Sequence, residues 1–149
     1  MQTEVVVNKS SMWMSAGLFI ILVRDKETNS GIVPIFIHPL EYERICFILE
    51  DTETTRPLTH DLFKNTLVEW GIMINKVVLT KLENETYFAE IHSVRDGKEK
   101  IIDGRPSDAI ALALCYGSPI FMEESFLAQM INNEDTRKFI ELLEQGTAS

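Results

Sequence analysis

The chain has 149 residues, 45 % of them apolar, and a formal net charge of −9. That length fits one domain, and the apolar share supplies a core without metal or disulfide staples, which excludes disordered and cross-linked miniature classes. The negative charge opposes nonspecific binding to nucleic acid, which runs on neutralising phosphates.

Residues 5–7 (VVV) read as a first strand. Residues 12–23 (MWMSAGLFIILV) have the apolar density of a signal segment, but Glu4 precedes them and Arg24-Asp25-Lys26 replace a cleavage site. A dozen residues are also too few to span a bilayer. The run is therefore read as one buried strand, residues 18–24, with its approach. The expected compartment is the cytoplasm, with no membrane partner. Residues 25–30 (DKETNS) form a polar loop, and 31–37 (GIVPIFI) a further strand in which Pro34 marks an edge or a bulge. Pro39 suits the first turn of a helix, where Tyr42, Ile45, Cys46 and Leu49 face the core at helical spacing and Glu41 and Glu43 project elsewhere. Residues 56–71 (RPLTHDLFKNTLVEWG) predict a second helix. Thr59 is its N-cap, Asp61 suits its dipole, Leu62, Phe63, Thr66, Leu67 and Trp70 form a buried stripe, and Gly71 stops it.

The second half follows a similar plan. Residues 76–82 and 86–94 are strands joined by a turn at 83–85, and Asp96-Gly97 is a two-residue hairpin signal leading to a strand at 99–103. A helix led by Pro106 runs to the stop at 116–119 (YGSP), followed by a short strand at 120–122 and helical segments at 123–131 and 135–144. Arg56-Pro57 is followed by His60-Asp61, as Arg105-Pro106 is by Ser107-Asp108. Duplication of one unit and independent helix-start chemistry both account for that echo. No linker divides the chain, so residues 1–149 are expected to be a single domain. Cys46 and Cys115 lie in apolar helical patterns with no Cys-x-x-Cys or Cys/His cluster, and read as reduced, buried thiols.

Residues 109–115 (AIALALC) make a helix with no polar face, which must be covered nearly all round. The residues at its mouth, Asp103, Arg105, Ser107 and Asp108, are then held rigidly, and a helix start attracts phosphate or carboxylate. Two readings stay open. In one the corner is structural: Asp108 sits on its own helix dipole, Arg105 pairs with Asp103 or Asp61, and Ser107 bonds locally. In the other it handles phosphate, with Arg105 as a bidentate clamp and Asp103 and Asp108 holding Mg²⁺ or Mn²⁺. No His-containing triad, P-loop or HExxH pattern is present.

Residues 103–121 (DGRPSDAIALALCYGSPIF) resemble the most recognisable stretch of the bifunctional nuclease (BFN) domain family, Asp-x-Arg-Pro-Ser-Asp-Ala-Ile-x-Leu-Ala followed by Gly-x-Pro-Ile-Phe. Residues 56–62 (RPLTHDL) resemble its second hallmark. Residues 33–37 (VPIFI) with Glu41 resemble its third, a Pro-Ile-Trp-Ile-Gly segment followed by Glu. The likeness covers about residues 16–130 and leaves 131–149 as a C-terminal helical extension. The resemblance implies an α+β fold of two β3α2-type repeats that form one barrel-like mixed sheet with helices packed around it. It also implies nuclease activity on RNA and DNA. The chain departs from the family at His38, where Gly is usual, and at Tyr42 and Arg44, where small residues usually flank the Glu. His38 either narrows access or adds an acid/base group near Glu41.

Phosphodiester hydrolysis needs an activated water and charge relief on the phosphoryl oxygens. For that reaction Asp103 and Asp108, with Glu41 or Asp61, are expected to hold the metal or orient water. Arg105, Arg56 and Ser107 are expected to contact substrate, and His60 to act as general acid or base. A bound cation would offset the acidic charge. The rival expectation is a noncatalytic regulatory or interaction module, a homodimer or higher homo-oligomer, in which Arg105 and Asp108 form a core network. The apolar stripes of the C-terminal segment, around Phe126, Met130, Phe139 and Leu142, then serve packing or a dimer contact.

Overall fold

The computed structural model describes residues 1–146; residues 147–149, the end of the expected C-terminal extension, lie outside them. β1 (Gln2–Val6) is followed by a single 3₁₀ turn, then by β2 (Met12–Ser15) and β3 (Leu18–Asp25). The apolar run 12–23 is thus two strands, not one strand with its approach. Ala16 and Gly17 take φ of 50° and 79°, the pair of left-handed residues that reverses a two-residue hairpin. β4 (Gly31–Phe36) pairs with β3, and the register shifts between Val23 and Arg24. Pro34, opposite Leu22, has no N–H for a further neighbour, so this strand sits at an edge as its sequence predicts.

β5 (Met73–Glu83), β6 (Thr86–Arg95) and β7 (Lys98–Gly104) form an antiparallel meander. Asp96 and Gly97 both have positive φ, 50° and 75°, as the hairpin signal requires. β8 (Ile120–Glu123) enters between the halves, antiparallel to β1 and parallel to β5. The order is β2-β3-β1-β8-β5-β6-β7, with β4 on the other side of β3. The sheet is mixed but open, which corrects the barrel-like expectation. Tyr87 Oη on β6 donates to the Pro34 carbonyl on β4 at 3.0 Å, so the two ends approach without a ladder joining them.

Among the described residues five α-helices complete the α+β fold: α1 (Pro39–Leu49), α2 (Thr59–Glu69), α3 (Pro106–Tyr116), α4 (Glu124–Ile131) and α5 (Glu134–Gly146). Four strands precede α1 and α2 and three precede α3, so the two halves follow similar but unequal plans, with β8 inserted between α3 and α4. α3 packs against β5, β6, α1 and α2. Ala109, Ile110, Ala111, Leu112 and Ala113 are all buried, as a helix without a polar face must be. Gly117, at φ 70°, takes the left-handed conformation that ends it.

α2 departs from its expected packing. Leu62, Phe63 and Trp70 are 61, 50 and 66 % exposed, and of the expected stripe only Leu67 packs against the core. The helix leans on α3 rather than on a strand, so most of its apolar side is left open. Its cap also differs. Thr59 is the first helical residue, and the carboxylate of Asp61 reaches back to accept the Leu58 N–H at 2.9 Å.

The C-terminal helices pack on the domain. α4 and α5 cover β4, Phe126 and Met130 are buried, and Phe139 stacks near Phe36 at 5.7 Å between ring centroids. The guanidinium of Arg24 is 5 % exposed and pairs with Glu144 at 2.6 Å; it also donates to the carbonyls of Ser10 and Asn29. Glu144→Ala removes the counter-charge of a buried cation and is expected to cost about 2 kcal/mol in chemical denaturation, discounted for the partial exposure of Glu144. Glu141→Ala, at an exposed position of the same helix, is expected to stay within about 0.5 kcal/mol.

Candidate functional site

Three helix starts converge. Arg105 precedes Pro106, which forces extended backbone (φ −70°, ψ 145°), and its carbonyl accepts the first α3 bond from Ala109 at 3.0 Å. Asp108 lies in the first turn of α3, His60 in that of α2 and Glu41 in that of α1. Arg105 Nε donates to Asp108 Oδ2 at 2.8 Å, and an Arg105 terminal nitrogen pairs with Glu41 Oε1 at 3.2 Å. His60 Nε2 lies 3.2 Å from Asp108 Oδ1. The two Arg-Pro corners therefore meet through His60 and Asp108.

Arg105 pairs with neither Asp103 nor Asp61, the partners its structural reading predicts. Asp61 is held by the Leu58 N–H and by Arg44 at 3.4 Å. Burial pushes the Asp108 carboxyl up, but hydrogen bonds and charge from Arg105 and His60 outweigh it and hold the group below its usual 3.8. The hydrogen bond it donates to Asp108 raises the Arg105 guanidinium further, opposed by desolvation and aided by the charges of Asp108 and Glu41. A carboxyl depressed in the folded state stabilises fully above its unfolded pKa and loses that contribution as pH falls through the folded one. Thermal melts of wild type and Asp108→Asn are thus expected to converge as pH drops below about 4, and to differ most near neutrality.

Three buried polar atoms here lack a protein partner: His60 Nδ1, Glu41 Oε2 and Arg44 Nε. Arg44 opens onto a cleft of about 280 Å³ that Asp61, Lys64, Asn65 and Cys115 also line. Lys64 donates to the Cys115 carbonyl at 2.8 Å, and burial raises the thiols of both Cys115 and Cys46, which are free. Sequence reading missed this cleft. Arg44 and Asp61 carry no shared spacing, and the only signal is that Arg44 departs from the small residues expected beside Glu41.

The remaining candidates make no hydrogen bond or ion pair with the cluster. Arg56 is exposed in the loop before α2, and its side chain forms no ion pair among the described residues. Asp103 is exposed on β7 opposite Glu90. Ser107 is buried in the first turn of α3. His38 is exposed at the α1 cap and makes no capping bond, and Glu43 is exposed.

The expected metal donors Asp103, Asp108 and Asp61 are not brought together. Among the described residues no three His, Cys, Asp or Glu side chains are grouped to hold a metal ion. Both oxygens of Asp108 and one of Glu41 already face Arg105 or His60, leaving Glu41 Oε2 as the unpartnered donor. In this arrangement the donor set does not fit a resident divalent ion. Among the described residues no helix is long and apolar enough to cross a membrane.

The family model for the bifunctional nuclease domain matches residues 20–134, which contain the whole cluster. Two proteins of Mycobacterium tuberculosis, from strains CDC 1551 and H37Rv and both described as uncharacterized, are 34 % identical to this chain over 109 residues. That match covers 73 % of this chain and 65 % of each relative, so the chain spans a little under two thirds of their length. By the extent of the family match and the identity to these relatives, the chain belongs to the bifunctional nuclease domain family, a membership that points to nuclease activity.

Proposed function

We propose that this chain hydrolyses phosphodiester bonds of RNA and DNA at the cluster of Glu41, His60, Arg105 and Asp108. The observation that carries the proposal is the 3.2 Å contact of His60 with Asp108, which joins the two Arg-Pro corners at one solvent-facing point. The family's description supports the reaction class. With the carboxylate accepting from Nε2–H, the neutral imidazole keeps its lone pair on Nδ1, the unpartnered nitrogen. A small shift of α2 that admits water to Nδ1 gives a general base, and the resulting imidazolium can return the proton to the leaving oxygen.

Arg105 uses two of its nitrogens on carboxylates, and its side chain is 56 % exposed. The remaining terminal nitrogen is the one to meet a phosphoryl oxygen. Glu41 and Asp108 outweigh Arg105 in charge while His60 is neutral, so attraction for a polyanion must come from elsewhere. Arg56, on the same side of α2 as His60 in sequence and unpaired, supplies a cation for it. Dependence on Mg²⁺ or Mn²⁺ is carried in the proposal with no donor set and no step assigned to it.

One observation favours a noncatalytic interaction module instead: Arg105 is already neutralised by two carboxylates, and so works as a clamp between α1 and α3. Highly purified protein, labelled RNA and single-stranded DNA, and Mn²⁺, Mg²⁺ or EDTA separate the two. Cleavage that disappears in a folded Arg105→Ala variant supports the enzyme. Cleavage equal in wild type, Arg105→Ala and Asp103→Asn comes from a contaminant and leaves the clamp. Loss in Asp103→Asn of the metal-stimulated part alone assigns the cation to that side chain.

A further inference from the structure

We propose that the cleft between α1 and α2 seats one unstacked guanine base of a single-stranded substrate, beside the phosphodiester held at Glu41, His60, Arg105 and Asp108. Binding of the base stands on the cleft alone, whereas its place in the substrate rests on that cluster being the hydrolytic site. Each of the three helices that supplies the cluster also supplies the cleft. α1 gives Glu41 and, one turn on, Arg44; α2 gives His60 and, one turn on, Lys64; α3 gives Asp108 and, two turns on, Cys115. Cleft and cluster therefore lie about 5–10 Å apart along the helices, within reach of one nucleotide.

Size and charge narrow the occupant. The cleft, about 280 Å³, falls just short of the roughly 300 Å³ at which pockets begin to hold drug-sized ligands, so it takes one ring system. Its charged lining is two cations, Arg44 and Lys64, against two carboxylates, Asp51 and Asp61. A phosphate gains no net attraction there. A neutral ring that both donates and accepts hydrogen bonds meets partners of each kind. Phe47, half-buried, with Ile48 and Leu114 supplies an apolar wall on which a base can stack.

The open hydrogen-bonding groups select guanine. Arg44 places one terminal nitrogen on Asp61 at 3.4 Å, and its buried Nε has no partner. Such a donor suits the O6 and N7 acceptors of guanine. Asp51, two turns along from Arg44 and just past the end of α1, is exposed, and neither of its carboxylate oxygens accepts a hydrogen bond among the described residues. It suits the N1–H and the N2 amine, which lie on the edge next to O6. Adenine reverses both demands: its N6 amine donates where Arg44 donates, and its N1 accepts where Asp51 accepts. Uracil meets Arg44 through O4 and Asp51 through N3–H, but offers one donor fewer and a smaller ring.

The test is titration of the whole chain with guanosine, adenosine, uridine and inorganic phosphate, read by NMR amide shifts, for wild type and Asp51→Asn. Asp51 has φ 52°, which asparagine also adopts, so the variant keeps the fold. Guanosine is expected to bind wild type at least about tenfold more tightly than adenosine, with uridine between them, and to lose about tenfold in Asp51→Asn. Guanosine should also slow alkylation by iodoacetamide of Cys115, which lines the cleft, and not of Cys46, which does not. Single-stranded RNA of mixed sequence should be cut at bonds flanking guanine, a preference that Asp51→Asn flattens. Guanosine bound no better than adenosine, phosphate bound as well as guanosine, or an Asp51→Asn that binds like wild type overturns the pocket. Cleavage indifferent to guanine overturns its place beside the reaction. Selective guanosine binding by a chain that cleaves nothing upholds the pocket and overturns the nuclease reading instead.

Discussion

His60→Ala is expected to lower the rate of RNA cleavage by about 10²–10³-fold, the range for loss of a positioned general acid–base group. The side chain is 14 % exposed and bonded to Asp108, so its removal leaves Asp108 to Arg105 alone without opening the core. The loss falls on kcat, with KM little changed, because the imidazole acts in proton transfer and not in holding the strand. Arg105→Lys should recover little. A lysine presents one point charge and cannot bridge Glu41 and Asp108 while a third nitrogen faces substrate. A variant that loses KM and kcat equally across all pH values would mark His60 as structural.

Ile110→Ala is expected to destabilise the protein by about 3 kcal/mol, the middle of the range for truncating a buried isoleucine. Ile110 is fully buried in α3, whose neighbours include β5, β6, α1 and α2. The adjacent Ala109 and Ala111 are fully buried and too short to fill the cavity. Urea denaturation should show a lower midpoint with an unchanged slope. Leu142→Ala, a leucine 67 % exposed on α5, should move the midpoint by no more than about 0.5 kcal/mol. Because α3 carries Arg105 and Asp108, Ile110→Ala should also reduce cleavage at temperatures where the protein is still folded.

Local structure was legible wherever one residue type forces one conformation. Asp96-Gly97, Pro106 and Gly117 announce a hairpin, a helix start and a helix stop, and each is found there. The covered helix was legible because AIALALC offers no polar face to solvent. The spacing of Leu62, Phe63, Leu67 and Trp70 shows only that α2 has an apolar side. Whether the same chain covers that side is a tertiary fact, and most of it stays open. The open sheet was hidden for the same reason. β8 joins β1 and β5, strands far away in sequence, and no periodicity states which neighbours a short strand will find.

The site divides in the same way. The Arg-Pro corners and Glu41 were visible as motif residues, but their pairing was not. Arg105 has several carboxylates within chain reach, and the choice of Asp108 and Glu41 follows from how α1 and α3 cross. Asp61 was expected among the metal donors, yet its carboxylate caps α2 and meets Arg44. A carboxylate in a helix's first turn has both uses open to it, and sequence spacing does not separate them.

The most direct measurement is a double-mutant cycle on cleavage rates with His60→Ala, Asp108→Asn and the two combined. If the corners act as one unit, the double variant is no slower than the slower single one, since either change alone already disables the pair. Losses that multiply, or a folded wild type free of contaminants that cleaves neither RNA nor DNA with Mg²⁺, Mn²⁺ or EDTA, would contradict the account.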